Sequence, residues 1–360
     1  MFPFFSYSQF SLSLLFLSLF LSLPPVVPAR TLPDPLTNLK AAQNNTWRSF
    51  AKFLDAGRGS HVNGMSELKK YFQRFGYLEP VSASNLTDSF DDGLESAVLA
   101  YQKKLGLTVT GKLDSDTVSQ IMSPRCGVSD ESRTLHATRH FVYFSGEPRW
   151  LRVGSAPIKL TYAFSPVHTI GNLPSSDIKS AFDRAFSRWS AVIPVTFTPA
   201  SDYSTADVKI GFYHGDHGDG DPFDGVLGIL GHAFSPKNGR LHLDGAETWA
   251  VDFASEKSRT AVDLESVATH EIGHVLGLAH SSVREAVMYP SLSPRTKRAD
   301  LKMDDVEGVQ ALYGSNPNFK FSSLLESDTS SSWAVGFGRS WHSWATYWIM
   351  VLLMTLGLWT

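Results

Sequence analysis

Residues 270–280 read His-Glu-Ile-Gly-His-Val-Leu-Gly-Leu-Ala-His, and this run constrains the local fold more than any other stretch of the chain. On a helix, His270 and His274 stand four apart and project from one face, so both imidazoles can reach one metal ion. Glu271 lies beside His270, able to face a water on that metal without binding the metal itself. Gly277 must then turn the chain out of the helix, at a backbone angle that would strain any side chain. That turn returns His280 as a third ligand. Three protein ligands leave a fourth zinc position open, the arrangement of a catalytic site rather than a structural one. A buried helix with incidental histidines is the competing reading. It gives no reason for His280 to follow the glycine at this spacing, nor for Met288 to follow in Ala-Val-Met-Tyr-Pro.

The ends of the chain read as targeting signals. Ser11 to Leu23 is a Ser, Leu and Phe run, closed by small residues before a cut after Ala29, so 1–29 reads as a signal peptide. From Trp344 to Thr360 the chain is apolar, uncharged and followed by nothing basic. With small residues and a moderate spacer upstream, 333–360 reads as a glycosylphosphatidylinositol (GPI) signal, Ser330 being the attachment candidate. A single membrane helix is the alternative, for which the tail is at the short limit. Asn44 and Asn85 stand in glycosylation sequons. An outer-face, extracellular location follows as the expectation. The formal net charge of −3 over 360 residues suggests no nucleic-acid partner, and a monomer is expected.

A secreted chain would ordinarily carry disulfides, yet Cys126 is the only cysteine. It stands in Pro-Arg-Cys-Gly-Val-Ser-Asp at 124–130. A thiolate is a strong zinc ligand, and one reaching the open position would displace the catalytic water and silence the site. Upstream, from about 60 to 125, apolar residues fall on three helical faces: Leu68, Tyr71, Phe72 and Phe75; Leu94, Ala97, Val98, Tyr101 and Leu105; Val118, Ile121 and Met122. Residues 30–140 therefore read as a propeptide built on a small helical domain.

The segment 141–315 reads as α+β, with strands at 158–164, 195–198 and 207–213. A helix runs through Ile178 to Trp189 with Ser175 or Ser176 as its cap, the metal helix starts at about Val262, and a last helix covers Asp304 to Tyr313. Residues 316–332 read as a Ser-rich stalk. The stretch 214–249 is too rich in His, Asp and Gly for an idle loop. Imidazoles with a carboxylate suit a closed zinc site, and clustered carboxylates with glycine carbonyls suit calcium.

Together these residues resemble the matrix metalloproteinases (matrixins), members of the metzincins whose signature is the long histidine motif with its Met-turn. The likeness is greatest to the plant members, which lack a hemopexin domain. It runs from about residue 60 to 315. It rests on the Cys126 segment, His-Gly-Asp at 217–219, Phe-Asp-Gly at 223–225, His-Ala-Phe at 232–234, His-Leu-Asp at 242–244 and the zinc helix. The resemblance implies a metzincin domain with a twisted, mostly parallel sheet, behind a helical, peptidoglycan-binding-like prodomain. It implies a structural zinc on His217, Asp219, His232 and His242. It implies a calcium on Asp224, Asp244 and Glu247 with the carbonyls of Gly225, Leu227 and Ile229. A second calcium would use Asp207, though Arg240 stands where the family often has a calcium-binding Asp. Glu271 would be the general base, Met288 would underlie the histidines, and Tyr289 and Pro290 would line the pocket for the side chain after the cut bond. The implied activity is a latent zinc endopeptidase acting on extracellular proteins or peptides. The alternative weighed against it is a catalytically weak surface protein binding cell-wall glycan through its helical domain.

Overall fold

A computed structural model describes residues 46–82, 86–130, 141–152, 154 and 157–320, all within one unit of the chain. The signal segment, Asn44, Asn85, Ser330, the C-terminal tail and the 131–140 stretch lie outside the described residues.

The helical domain starts earlier than the sequence suggests. A 3₁₀ helix at Thr46–Phe53 carries Trp47, Phe50 and Phe53 into the core. The remaining helices are α1 (Met65–Arg74), α2 (Asp92–Lys104) and α3 (Ser115–Ile121). The expected apolar faces are buried, and Tyr71 sits among them with Phe75 and Trp47 edge-on at 4.7 and 5.1 Å. Asp91 and Asp114 accept from Leu94 N and Thr117 N and so cap α2 and α3. Buried Gln102 organises the link between those helices. Its Nε2 donates to Thr117 Oγ1 and the Lys112 carbonyl, each at 2.9 Å, while its Oε1 accepts from Thr110 N and Gly111 N.

The second part of the chain builds a six-stranded sheet in the order β1-β5-β6-β4-β2-β3. The strands are β1 (Arg125–Cys126), β2 (Ile158–Phe164), β3 (Val195–Pro199), β4 (Val208–Tyr213), β5 (Ile229–Ala233) and β6 (Arg240–Asp244). All pairings are parallel except β5 with β6. Strand β1 belongs to the cysteine segment, which therefore joins the sheet edge as an added strand. The stretch 214–249 holds β5, β6 and, at Trp249–Ala250, β7.

Three helices pack on or beside this sheet: α4 (Ser175–Val192), α5 (Leu264–Val275) and α6 (Met303–Tyr313). Neither Ser175 nor Ser176 caps α4. Pro174 occupies that position without a side-chain bond, and Ser175 is already helical, consistent with proline's fixed φ starting the turn. Helix α5 begins two residues later than expected, because Val262–Asp263 pairs with β7 as β8 and Asp263 caps the helix by accepting from Ser266 N at 2.8 Å. Every residue of α5 is buried, and Trp189 of α4 donates its indole N–H to the Thr269 carbonyl at 2.9 Å.

Candidate metal centres and the active-site cleft

Helix α5 stops where the motif demands. Leu276 ends it and Gly277 takes φ 103°, where an added Cβ would fall 2.2 Å from the Pro148 carbonyl oxygen. The reversal brings His280 to the two helical histidines. Gly273 has a separate reason to be glycine, which the sequence reading missed. An added Cβ there would stand 2.2 Å from the Met288 sulfur. Met288 packs directly beneath the helix, and Asp305 of α6 holds that turn by accepting from Val287 N and Met288 N at 2.9 and 3.0 Å.

His270, His274, His280 and Cys126 offer donor atoms that all lie within 4.8 Å of one another. The Nε2 of His274 lies 3.1 Å from that of His270, 3.2 Å from that of His280 and 3.4 Å from Cys126 Sγ. The opposite ring nitrogens settle the tautomers. Nδ1 of His270 faces the Val287 carbonyl and Nδ1 of His274 the Leu278 carbonyl, both at 2.7 Å, while Nδ1 of His280 faces the Asp130 carboxylate at 2.6 Å. Each Nδ1 is thus the donor, so three Nε2 lone pairs point at one another. Burial, and then the neighbouring imidazoles, hold His270 and His274 well below their usual protonation range. Lone pairs this close repel unless a cation lies among them, and a set of three imidazoles and a thiol suits zinc.

Glu271 is fully buried, and neither carboxylate oxygen finds a hydrogen-bond partner among the described residues. Burial pushes it up to about 8, with the neighbouring Cys126 thiol pulling the other way. Burial, then the Glu271 charge, likewise push the Cys126 thiol well above its ordinary value. A neighbouring cation reverses both tendencies.

Cys126 is buried, though not in an apolar core. Backbone bonds place its segment between β5 and residues 290–292: Arg125 N to Gly228 O at 3.0 Å, Cys126 N to Pro290 O at 2.8 Å, Gly127 N to Gly231 O at 2.8 Å and Leu292 N to Pro124 O at 3.0 Å. An ion pair holds the segment, with Arg125 donating to Asp130 Oδ1 at 2.7 Å and both side chains fully buried. Beside Cys126 and Glu271 opens a small cavity, lined in part by Val287, Tyr289, Pro290 and Arg298. Tyr289 and Pro290, the expected pocket residues, line this cavity. Arg298 was not anticipated. Its guanidinium straps this wall by donating to the Tyr289 and Arg284 carbonyls at 3.1 and 2.9 Å.

The second group is His217, Asp219, His232 and His242. Asp219 Oδ2 lies 2.8 Å from both His217 Nε2 and His232 Nε2, and 2.9 Å from His242 Nδ1. His217 Nδ1 donates to the Gly215 carbonyl at 3.0 Å, so its Nε2 meets the carboxylate lone pair to lone pair. The rings are clamped by stacking, His217 on Phe223 and Phe223 on His232, each pair at 4.9 Å. This donor set also fits zinc.

Asp224, Asp244 and Glu247 each tie to one loop, accepting from Ile229 N, Gly225 N and Leu227 N. Burial raises all three carboxyls, and Asp244 and Asp224 raise Glu247 further. Glu247 Oε2 is buried without a partner among the described residues. Three carboxylates gathered on the 225–229 loop suit a hard, oxygen-seeking cation such as calcium. Among the described residues, neither these three carboxylates nor Asp207 gather donor atoms as tightly as the two histidine groups do. Asp207 Oδ2 accepts from the amide and hydroxyl of Thr161 at 2.7 and 2.8 Å, and Arg240 lies over the Phe234 ring at 4.0 Å.

A histidine helix broken at a glycine, a methionine beneath it and a mostly parallel sheet beside it define a zinc endopeptidase of the metzincin kind. The matrixin profile matches residues 150–314 and a peptidoglycan binding domain profile matches 61–121. The chain belongs to the matrixin family of metalloendoproteinases. It is 56% identical over 300 residues to Metalloendoproteinase 1-MMP of Arabidopsis thaliana, covering 82% of this chain and 81% of that protein. It is 57% identical over 274 residues to Metalloendoproteinase 4-MMP of the same plant, with 75% and 78% covered. To Metalloendoproteinase 2-MMP it is 45% identical over 373 residues, with 95% and 97% covered. Matrixins use zinc, catalytic and structural, together with calcium.

Proposed function

We propose that this zinc metalloendopeptidase is a secreted, cell-surface enzyme made as a latent precursor and attached through a GPI anchor, cleaving extracellular proteins. The observation that carries the latency is the place of Cys126, whose sulfur completes the histidine group that also faces Glu271. A thiolate there fills the position a catalytic water needs. The helical domain acts as the propeptide, and its α3 closes over the cleft. Gln120 accepts from the Tyr289 hydroxyl at 3.1 Å and donates to Ser291 Oγ at 2.6 Å.

Once the propeptide leaves, His270, His274 and His280 hold the catalytic zinc. When bound, zinc polarises the scissile carbonyl and lowers the pKa of water. Glu271 takes a proton from the attacking water and returns it to the departing amine. Apart from the Cys126 thiol that departs with the propeptide, no donor holds its carboxylate among the described residues. Val287, Tyr289 and Pro290 receive the side chain after the cut bond, so an apolar residue is favoured there. His217, Asp219, His232 and His242 hold the structural zinc, and the 224–247 carboxylates hold calcium.

The test is a peptide library offered to the purified precursor before and after an organomercurial captures its thiol. Cleavage should begin only after capture, and N-terminal sequencing should place the new end near Phe141. A precursor equally active before capture contradicts the latency. The anchor is read separately, since phosphatidylinositol-specific phospholipase C should release the protein from membranes. Peptides from 344–360 in lipase-resistant protein contradict it.

A further inference from the structure

The three histidines are not supported alike. His270 and His274 donate Nδ1–H to carbonyls of Val287 and Leu278, which lie within the catalytic domain. His280 donates to Asp130 Oδ1 at 2.6 Å, both side chains being fully buried. Asp130 belongs to the propeptide. It is the partner of His280 Nδ1 among the described residues, and it is held from the propeptide side. Its backbone N–H donates to Phe75 O at 3.1 Å, its Oδ2 accepts from Tyr77 at 2.7 Å and its Oδ1 also accepts from Arg125. When the propeptide is lost, two ligands keep their supports and the third loses its carboxylate.

A carboxylate behind a ligating imidazole fixes the ring and its tautomer and strengthens the nitrogen as a donor. Its removal typically weakens metal binding about 10–100-fold. We propose that Asp130 is a positioning residue for the catalytic zinc, so that the precursor grips the metal through His280 more firmly than the mature enzyme does, beyond the extra bond from Cys126. The inference rests on the reading of His270, His274 and His280 as zinc ligands. It gives Asp130 a role besides pairing with Arg125: the segment that silences the site also secures the metal until activation.

The test uses the precursor chain carrying Cys126→Ser and Glu271→Gln, which removes the thiol ligand and self-cleavage together. Zinc transfer to a chromogenic chelator is compared for this background, for Asp130→Asn and for Arg125→Met. Arg125→Met breaks the ion pair but keeps the carboxylate facing His280. Asp130→Asn should weaken zinc retention about 10–100-fold, well beyond Arg125→Met, which loosens the segment but leaves a carboxylate to face His280 whenever it is closed. The hydrogen-bonded His280 Nδ1 proton, seen downfield by NMR, should move upfield or be lost only in Asp130→Asn, whose neutral amide is a weaker acceptor. Equal weakening by both variants would show a loosened segment rather than a lost histidine partner, and overturns the proposal. Unchanged retention in Asp130→Asn overturns it too. A background chain that binds no zinc at the histidines refutes the underlying ligand assignment instead, and the proposal with it.

Discussion

The buried ion pair beside Cys126 allows a quantitative expectation. Arg125 donates to Asp130 at 2.7 Å and to the Cys126 carbonyl at 3.2 Å, and lies 3.7 Å over the Phe75 ring. Arg125→Met keeps an unbranched apolar stem and removes every one of these contacts. Removing one partner of a buried pair costs about 3–5 kcal/mol, because the other charge is left uncompensated. Asp130 would still accept from Tyr77 and His280, so the lower end applies, about 3 kcal/mol. That energy falls on the closed position of the cysteine segment rather than on the whole fold. At about 1.4 kcal/mol per decade, the open fraction should rise on the order of 100-fold. Cys126 is the only thiol in the chain, so a chromogenic disulfide reports on it alone. Reaction follows the open population when reclosing is fast. In a Glu271→Gln precursor, which cannot process itself, the thiol of Arg125→Met should therefore react about 100-fold faster. An unchanged rate would refute the view that this pair holds the segment shut.

Glu271→Gln should retain zinc by elemental analysis while turnover falls about 10²–10⁴-fold; near-normal turnover in a metal-loaded variant removes Glu271 as general base. Calcium chelation at fixed zinc should lower the melting temperature. A ligand at about 100 times its Kd adds about 2.7 kcal/mol, or roughly 5–10 °C for a domain of this size, and an unmoved melting curve counts against the Asp224, Asp244 and Glu247 site. Gly273→Ala forces a methyl to 2.2 Å from the Met288 sulfur, so the denaturation midpoint should drop by the equivalent of about 1–3 kcal/mol. A midpoint equal to wild type would mean the Met-turn yields easily.

Much of the site was legible because its chemistry is written locally. The spacing of His270, His274 and His280 around Gly277 dictates a helix, a stop and a return, and the φ of 103° at Gly277 bears this out. The amphipathic faces of α1, α2 and α3 were equally plain, since buried helices repeat their apolar residues. The rest depends on partners distant in sequence. Strands β5 and β6 hide in a stretch dominated by His, Asp and Gly, because metal ligands and turn glycines displace the alternation that marks a strand. The 3₁₀ helix at Thr46–Phe53 offers too short a run for a clear period. Gly273, Arg298 and Gln102 carry roles set by Met288, by the pocket wall and by the Thr110–Lys112 turn. The bond from His280 to Asp130 spans 150 positions, and nothing in the local pattern of either residue announces it.

The proposed latency rests on the Cys126 thiolate, with the ion pair and α3 only holding it in place. Cys126→Ser replaces a soft, strong ligand with a weak neutral one and leaves the backbone bonds of the segment intact. The measurement is peptide cleavage by the freshly purified Cys126→Ser precursor, without organomercurial or added protease, followed by gel analysis of its own processing. Immediate cleavage of the peptide and conversion of the precursor to a shorter form are expected. A Cys126→Ser precursor as silent and as full-length as wild type would contradict that role of the thiolate, since steric cover by the helical domain would then suffice.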